Sequence, residues 1–323
     1  MWSHLPDYQS LAENVVTEIA IHLVHYQQRH SLMTVWEKPD NSFVTPADYG
    51  VQYFLKKQLR QAFPDIPFIG EEVLTLKEDA KKLPEILAFL HNFDPQVTEA
   101  DLLNTLTPQQ LPSSLFWLAD PIDGTSGFIR KRSFAIALTL IHEGSPILAV
   151  MACPSYARNV TIYSAAKGLG LTIYRPGSTE KLPLNNKKPR AYRYCEASLA
   201  ASNQQHYTTR LLGLSLPGTP QAFRTESQYK YALVAEGFAD FFIRYPFVPT
   251  QARTWDHAPG AFLVEEAGGI VTDVFGEPLD YGRKDFVLDN HPIILASGSL
   301  EIHETTLQVL QRDLHILPTL SSL

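Results

Sequence analysis

Between Tyr8 and Arg29 the apolar residues Leu11, Val15, Ile19 and Leu23 recur at helical spacing with polar residues between them, which predicts an amphipathic helix packed on the body of the protein. A second helix is expected after Phe43-Val44. Thr45 stands at its N-cap, Pro46 at its first turn and Asp48 three residues past the cap, and Val51, Phe54, Leu55 and Leu59 then form its apolar stripe. The pattern changes at Pro67 to Gly70 and again at Phe116 to Ala119, two short apolar runs that read as buried strands and end in acids: Gly70-Glu71-Glu72 and Asp120-Pro121-Ile122-Asp123-Gly124-Thr125. Proline cannot donate to a ladder and glycine permits positive φ, so Asp-Pro followed by Asp-Gly is expected to break the second strand in a tight turn. Between them, Val73 to Ser114 mixes charges, scattered leucines (Leu83, Leu87, Leu90) and four prolines, which predicts surface helices and loops.

From Phe134 the period shortens. Phe134 to Ile141, Ile147 to Met151, Asn159 to Ser164 and Leu169 to Tyr174 predict a mostly antiparallel sheet with turns at His142 to Pro146 and near Gly168. The Pro-, Asn- and Lys-rich stretch Arg175 to Arg193 then marks the expected boundary between an N-terminal α+β half, residues 1–185, and a C-terminal α/β half, residues 186–323. In the second half, helices are expected over Ser227 to Phe238, Asp256 to Ala267 and Leu300 to Leu310, with strands at Asp240 to Tyr245, Ile270 to Asp273 and Ile293 to Ser297. Asp256 reads as a helix N-cap and His257 as an ordinary helix residue. The fold class that follows is α/β, a layered α+β sandwich with alternating helix and sheet layers.

Composition narrows the partners. The 323 residues are 45% hydrophobic and 19% charged, a globular profile with material for a sizeable core, and a formal net charge of -7 argues against a nucleic-acid polymer or an anionic membrane as partner. A small molecule is expected instead. No stretch approaches the ~20 apolar residues that cross a bilayer, and Met1 to Pro6 lacks the pattern of a signal peptide, so the expected compartment is the cytoplasm. Cys153 and Cys195 form no disulfide framework and no metal-site spacing. Monomer and dimer both stay open.

Asp48, Glu71, Asp120, Asp123 and Asp256 each lie where an element begins or ends, the place where ligand-binding groups gather in α/β folds. Asp120 and Asp123 could hold hard cations such as Mg²⁺, which take oxygen ligands. Each also has a structural reading: Asp48 and Asp256 as helix caps, Asp120 and Asp123 as residues of a solvated turn.

The motifs Asp120-Pro121-Ile122-Asp123-Gly124-Thr125, Gly70-Glu71-Glu72 and Trp255-Asp256-His257-Ala258 with Glu266-Ala267-Gly268-Gly269 resemble, in order and over nearly the whole chain, the inositol monophosphatase superfamily of lithium-sensitive, Mg²⁺-dependent phosphatases. Within it, Val44-Thr45-Pro46-Ala47-Asp48-Tyr49, Gly127-Phe128-Ile129-Arg130 and Ser227-Gln228-Tyr229-Lys230-Tyr231 with Arg244 are similar to the 3'(2'),5'-bisphosphate nucleotidases. Ser126 departs from the Lys common there, and Ser202 stands near where several members carry His. The resemblance implies one Mg²⁺ held by Glu71, Asp120 and the Ile122 carbonyl, and a second held by Asp120, Asp123 and Asp256, roughly 3.5–4 Å apart. A third is implied near Asp48. It also implies that Asp48 and Thr125 orient and deprotonate the attacking water, and that Gly124, Thr125, Ser227, Lys230 and Arg244 contact the substrate, with no phosphoenzyme formed.

The expected reaction is removal of the 3'-phosphate of adenosine 3',5'-bisphosphate, and of 3'-phosphoadenylyl sulfate, a role in sulfur metabolism. An inositol phosphate or another small phosphomonoester is the alternative substrate. The haloacid-dehalogenase-like phosphatases use D-x-D-G-T, and the two residues between Asp120 and Asp123 disfavour that chemistry. A catalytically dead relative is disfavoured because each matched metal position is filled.

Overall fold

The computed structural model describes residues 4–30, 33–75, 79–107, 114–154, 159–182, 192–198, 220–246, 251–288 and 292–314. The chain begins with α1 (Leu5–Arg29), a two-stranded ribbon of β1 (Trp36–Glu37) and β2 (Phe43–Val44), α2 (Pro46–Ala62), β3 (Phe68–Gly70) and the short α3 (Leu83–Leu90) and α4 (Glu99–Leu106). It continues through β4 (Leu115–Asp123), α5 (Thr125–Ile129), β5 (Ala135–His142), β6 (Ser145–Pro154), β7 (Val160–Ala166), β8 (Gly170–Arg175) and β9 (Ser178–Leu182). The remainder is β10 (Arg193–Ala197), β11 (Gln221–Thr225), α6 (Tyr229–Ala235), β12 (Phe241–Arg244), a 3₁₀ turn at Thr254–Asp256, α7 (Ala258–Glu266), β13 (Ile270–Asp273), β14 (Ile294–Ser297) and α8 (Leu300–Leu314).

Two sheets carry these elements. Strands β3 to β9 form a seven-stranded sheet in sequence order, antiparallel except for the parallel pair β3 and β4, and the five-stranded sheet has the order β11-β10-β12-β14-β13. Because side chains alternate across a strand, both sheets bury apolar residues on both faces, which is why their strands read as nearly continuous hydrophobic runs. On β4, Trp117 and Ala119 join the core under α1 and α2, whereas Phe116 and Leu118 join the core under α6 and α7. On β12, Phe242 faces that same middle core while Phe241 and Ile243 face α8. The result is five layers: helix pair, sheet, helix pair, sheet, helix. This is the expected layered α/β sandwich.

Several expectations are corrected. Asp120-Pro121-Ile122-Asp123 does not leave the sheet. Strand β4 continues to Asp123 and absorbs the proline in a bulge, since Asp120 faces Ala137 and Asp123 faces Ala135, three steps on one strand against two on its neighbour. The missing proline donor falls where the ladder is already interrupted. Strands β9, β10 and β11 were not foreseen, β11 because its residues Gln221 to Arg224 are exposed and lack apolar alternation. Helix α6 starts at Tyr229, so Ser227 and Lys230 do not share a helix face. Ser227 lies outside the helix at a φ of 63°.

Candidate active site

The parallel pairing of β3 and β4 makes both strands end at the same edge. There the Glu71 N–H donates to the Ala119 carbonyl at 3.2 Å, which sets Glu71 beside Asp120. The bulge leaves Pro121 and Ile122 unpaired between Asp120 and Asp123, and the Ile122 N–H bonds Asp120 Oδ1 at 3.1 Å. Gly124 follows at a φ of 88°, in the left-handed region that glycine tolerates, and a Cβ there would stand 3.0 Å from the Ser227 Cβ. This close approach brings the Asp123-Gly124 turn against Ser227 and the start of α6.

Asp48 sits in the first turn of α2 with 1% exposure. Its Oδ2 accepts the Thr45 N–H at 2.8 Å and the Thr45 hydroxyl at 2.6 Å, while its Oδ1 accepts the Thr125 hydroxyl at 3.2 Å. Thr125 also lies 3.1 Å from the Ile122 carbonyl. The sequence-predicted catalytic pair is therefore in contact, across 77 residues of chain.

Electrostatically the edge is a concentration of negative charge. Burial raises the Asp48 carboxyl to about 6, with the charge of Glu71 adding to it and the Thr45 bonds opposing. Burial also raises Asp123 to about 6, against the Lys230 charge and the bonds from Gln228. Asp120 is held well above the usual carboxylate range by burial and by Glu71, Asp123 and Asp256, and Asp256 by burial and by Asp123 and Glu71. These carboxylates feel one another, as members of one site must. Among the described residues, no three acidic, histidine or cysteine side chains form a ready-made cage for a metal. The donor set nevertheless fits a hard divalent cation: oxygen ligands on separate elements whose mutual repulsion such a cation would relieve.

Asp256 is not the helix cap it was expected to be. It ends the 3₁₀ turn Thr254–Asp256, and His257, whose side chain makes no capping bond, is the N-cap of α7. His257 bonds Tyr231 at 2.8 Å through Nδ1. On the opposite wall, Lys230 is 9% exposed with its Nζ 5.3 Å from the Phe242 ring centre, and Arg244 donates to the Pro292 carbonyl at 2.8 Å. Burial works against the charge of both cations; Asp123 and Glu226 support that of Lys230, and Tyr231 and Asp256 that of Arg244. Ser202 lies outside the described residues.

Residues that the sequence did not flag complete the site. Lys38 Nζ lies 2.6 Å from both Glu71 and Glu72, and although burial opposes its charge, the two glutamates hold its pKa above the usual lysine value. Burial, helped by Glu71 and opposed by Lys38, raises Glu72 to about 8. Gln52 brackets the Glu72 backbone, accepting its N–H at 2.8 Å and donating to its carbonyl. A Cβ on Gly70 would stand 2.1 Å from that amide, so glycine is required where β3 gives way to Glu71. Lys38 carries no motif that could have singled it out. Gln228 stood inside Ser-Gln-x-Lys-Tyr but without a stated role.

Known proteins resemble this chain in sequence and in fold. The sequence profile of the inositol monophosphatase family matches residues 8–312. A 3'(2'),5'-bisphosphate nucleotidase of Schizosaccharomyces pombe is 30% identical over 86% of this chain and 87% of its own length, and one of Dictyostelium discoideum is 29% identical over 92% and 94%. Among solved structures, the Thermotoga maritima IMPase superposes with a TM-score of 0.66 at 20% identity over 96% of this chain and 99% of its own. CysQ from Bacteroides thetaiotaomicron does so with 0.57 at 18% identity over 90% and 97%. With the profile spanning α1 to α8 and the acidic edge assembled from its motifs, this chain belongs to the inositol monophosphatase family.

Proposed function

We propose that the protein is a magnesium-dependent phosphatase that removes the 3'-phosphate of adenosine 3',5'-bisphosphate, with 3'-phosphoadenylyl sulfate, which bears the same 3'-phosphate, as a second substrate. The observation that carries this reading is a buried cation, Lys230, 9% exposed with its Nζ 5.3 Å from the Phe242 ring centre, whose charge Asp123 supports and Arg244 opposes. Carboxylates alone would serve any phosphomonoester. A nucleotide bisphosphate brings a second phosphate that needs cations away from the metal ligands. The kinship with proteins named bisphosphate nucleotidases, at about 30% identity over most of the chain, supports the same assignment.

Glu71, Asp120, the Ile122 carbonyl, Asp123 and Asp256 would hold two magnesium ions, and the surroundings of Asp48 a third. When bound, such ions neutralise phosphoryl charge and make a neighbouring water more acidic. Thr125 orients the water through its hydroxyl, and Asp48 Oδ1 takes the proton. A carboxyl raised to about 6 by burial is a better proton acceptor near neutral pH than an exposed aspartate. Gly124, which lets its turn pack against Ser227, and Ser227 itself border the phosphate, and Lys230 with Arg244 hold the 5'-phosphate.

Phosphate release should be measured for adenosine 3',5'-bisphosphate, adenosine 3'-monophosphate and inositol 1-phosphate, with Mg²⁺ and with excess chelator. The bisphosphate is expected to have the highest kcat/KM, activity is expected to vanish in chelator, and Lys230→Ala is expected to raise KM for the bisphosphate more than for the monophosphate. Equal kcat/KM for the bisphosphate and inositol 1-phosphate in the unmodified protein would sink the assignment.

A further inference from the structure

We infer that Gln228 is a positioning residue that keeps the carboxylates of Asp123 and Asp256 in one register. Its backbone N–H donates to Asp123 Oδ2 at 2.7 Å, and its side-chain amide reaches the other carboxylate's segment, donating to the Trp255 carbonyl at 2.8 Å and accepting the Gly260 N–H at 3.1 Å. The residue is 2% exposed, so these bonds have no competition from solvent.

The Gly260 N–H belongs to the first turn of α7, where backbone donors have no partner within the helix, and His257 at the N-cap supplies none from its side chain. Gln228, itself the N-cap residue of α6, therefore also caps α7 through its side chain. Gly260 also permits the approach, since a Cβ there would stand 2.6 Å from the Tyr231 ring. One end of this bridge is fixed to the bulged end of β4 and the other brackets Asp256, bonding residues on either side of it. Asp123 and Asp256 are otherwise on elements more than a hundred residues apart in sequence. A shift of the α7 start relative to α6 would move one carboxylate and leave the other behind. Gln228 removes that freedom.

The inference rests on the metal-dependent reading above, and its test separates the two. Gln228→Met keeps length and volume but makes neither side-chain bond, and Gln228→Asn keeps an amide that is one methylene too short. Mn²⁺ binding to the substrate-free protein is measured by calorimetry and by the spin coupling of paired Mn²⁺ ions, beside kcat and KM for whichever phosphomonoester the unmodified protein hydrolyses best. Both variants are expected to bind Mn²⁺ about 10–100-fold more weakly, as when an outer partner of a ligand is lost, to lose the paired-ion signal and to drop in kcat more than they rise in KM. Thr139→Val, which removes a buried bond to the Leu148 carbonyl within the first sheet, is the control: it should lower the melting temperature and leave Mn²⁺ binding unchanged. If Gln228→Met does not fold, Gln228→Asn carries the comparison. Mn²⁺ affinity within twofold of the unmodified protein in a folded variant, or no Mn²⁺ binding by the unmodified protein, overturns the inference. If the unmodified protein binds Mn²⁺ and does not hydrolyse the bisphosphate, the substrate assignment falls while the register effect is still read from metal affinity.

Discussion

Asp48 shows how one carboxylate serves stability and chemistry together. Oδ2 closes the capping box with Thr45, the structural reading of the Thr-Pro-Ala-Asp motif, and Oδ1 faces Thr125 at 3.2 Å, the catalytic reading. The two readings are not alternatives, because each oxygen has a separate partner. They differ in consequence. A lost cap costs about 1 kcal/mol, worth about 2–4 °C of melting temperature in a domain of moderate size, whereas a lost general base costs a factor of about 10²–10⁴ in rate. Asp48→Asn is expected to show the small thermal shift and the large kcat loss together, measured by scanning calorimetry and steady-state kinetics. A kcat within a few-fold of the unmodified protein would leave Asp48 with its capping role alone.

At the scale of elements, α8 is anchored to β13 by a buried polar contact whose energy depends on pH. His303, on α8, lies 2.9 Å from the Thr272 hydroxyl through Nε2, and Thr272 also bonds the Asp273 carbonyl at 2.7 Å. Since the hydroxyl donates to that carbonyl, Nε2 carries the proton of the neutral ring, and the buried Nδ1 has no hydrogen-bond partner. Burial accordingly lowers the His303 pKa from 6.5 to about 4. In this window the unfolded chain binds a proton at His303 that the folded chain refuses, so the stability His303 contributes is full above pH 6.5 and declines as pH falls towards 4. Denaturant melts at a series of pH values should show that decline, and His303→Leu should flatten it. An equal slope in the variant would assign the acid sensitivity elsewhere.

Across the whole molecule, the middle helix layer is clamped to the first sheet at the C-terminal ends of α6 and α7. Glu236, just past α6, accepts the Tyr163 hydroxyl at 3.0 Å and a guanidinium bond from Arg175, both on the first sheet. Glu266, at the end of α7, accepts the backbone N–H groups of Gly168 and Gly170 at 3.0 and 3.1 Å from the turn between β7 and β8. The seven residues of α6 separate the Glu236 clamp from Gln228 by about 12 Å, given the rise of a helix. Glu236→Ala leaves the buried Tyr163 hydroxyl without its acceptor and Arg175 with Glu180 as its remaining carboxylate, so it is expected to cost about 1–3 kcal/mol while kcat stays within a few-fold. Urea unfolding beside kinetics checks both, and an unshifted midpoint would show that the clamp contributes nothing.

The amino-acid sequence by itself determined the apolar runs, the period of each, and the acids placed where those runs end. From these follow the main helices, most strands, the layered class and the candidate residues Asp48, Glu71, Asp120, Asp123 and Asp256, because backbone state and burial are encoded locally by spacing and by Pro, Gly and capping residues, whereas Thr125 came from the family resemblance alone. Tertiary structure decided the rest. Pro121 stays within a strand because β5 remains paired on both sides of the bulge, Asp256 loses its cap role because the chain enters α7 through a 3₁₀ turn, and β11 becomes a strand because β10 offers it an edge. The partners of the acids belong to the same class: Lys38 with Glu71, Gln52 with Glu72 and Gln228 with Asp123 meet across 33, 20 and 105 residues. Such contacts leave no periodic trace, since nothing local about a lysine or a glutamine distinguishes one that solvent covers from one that a folded acidic edge holds in place.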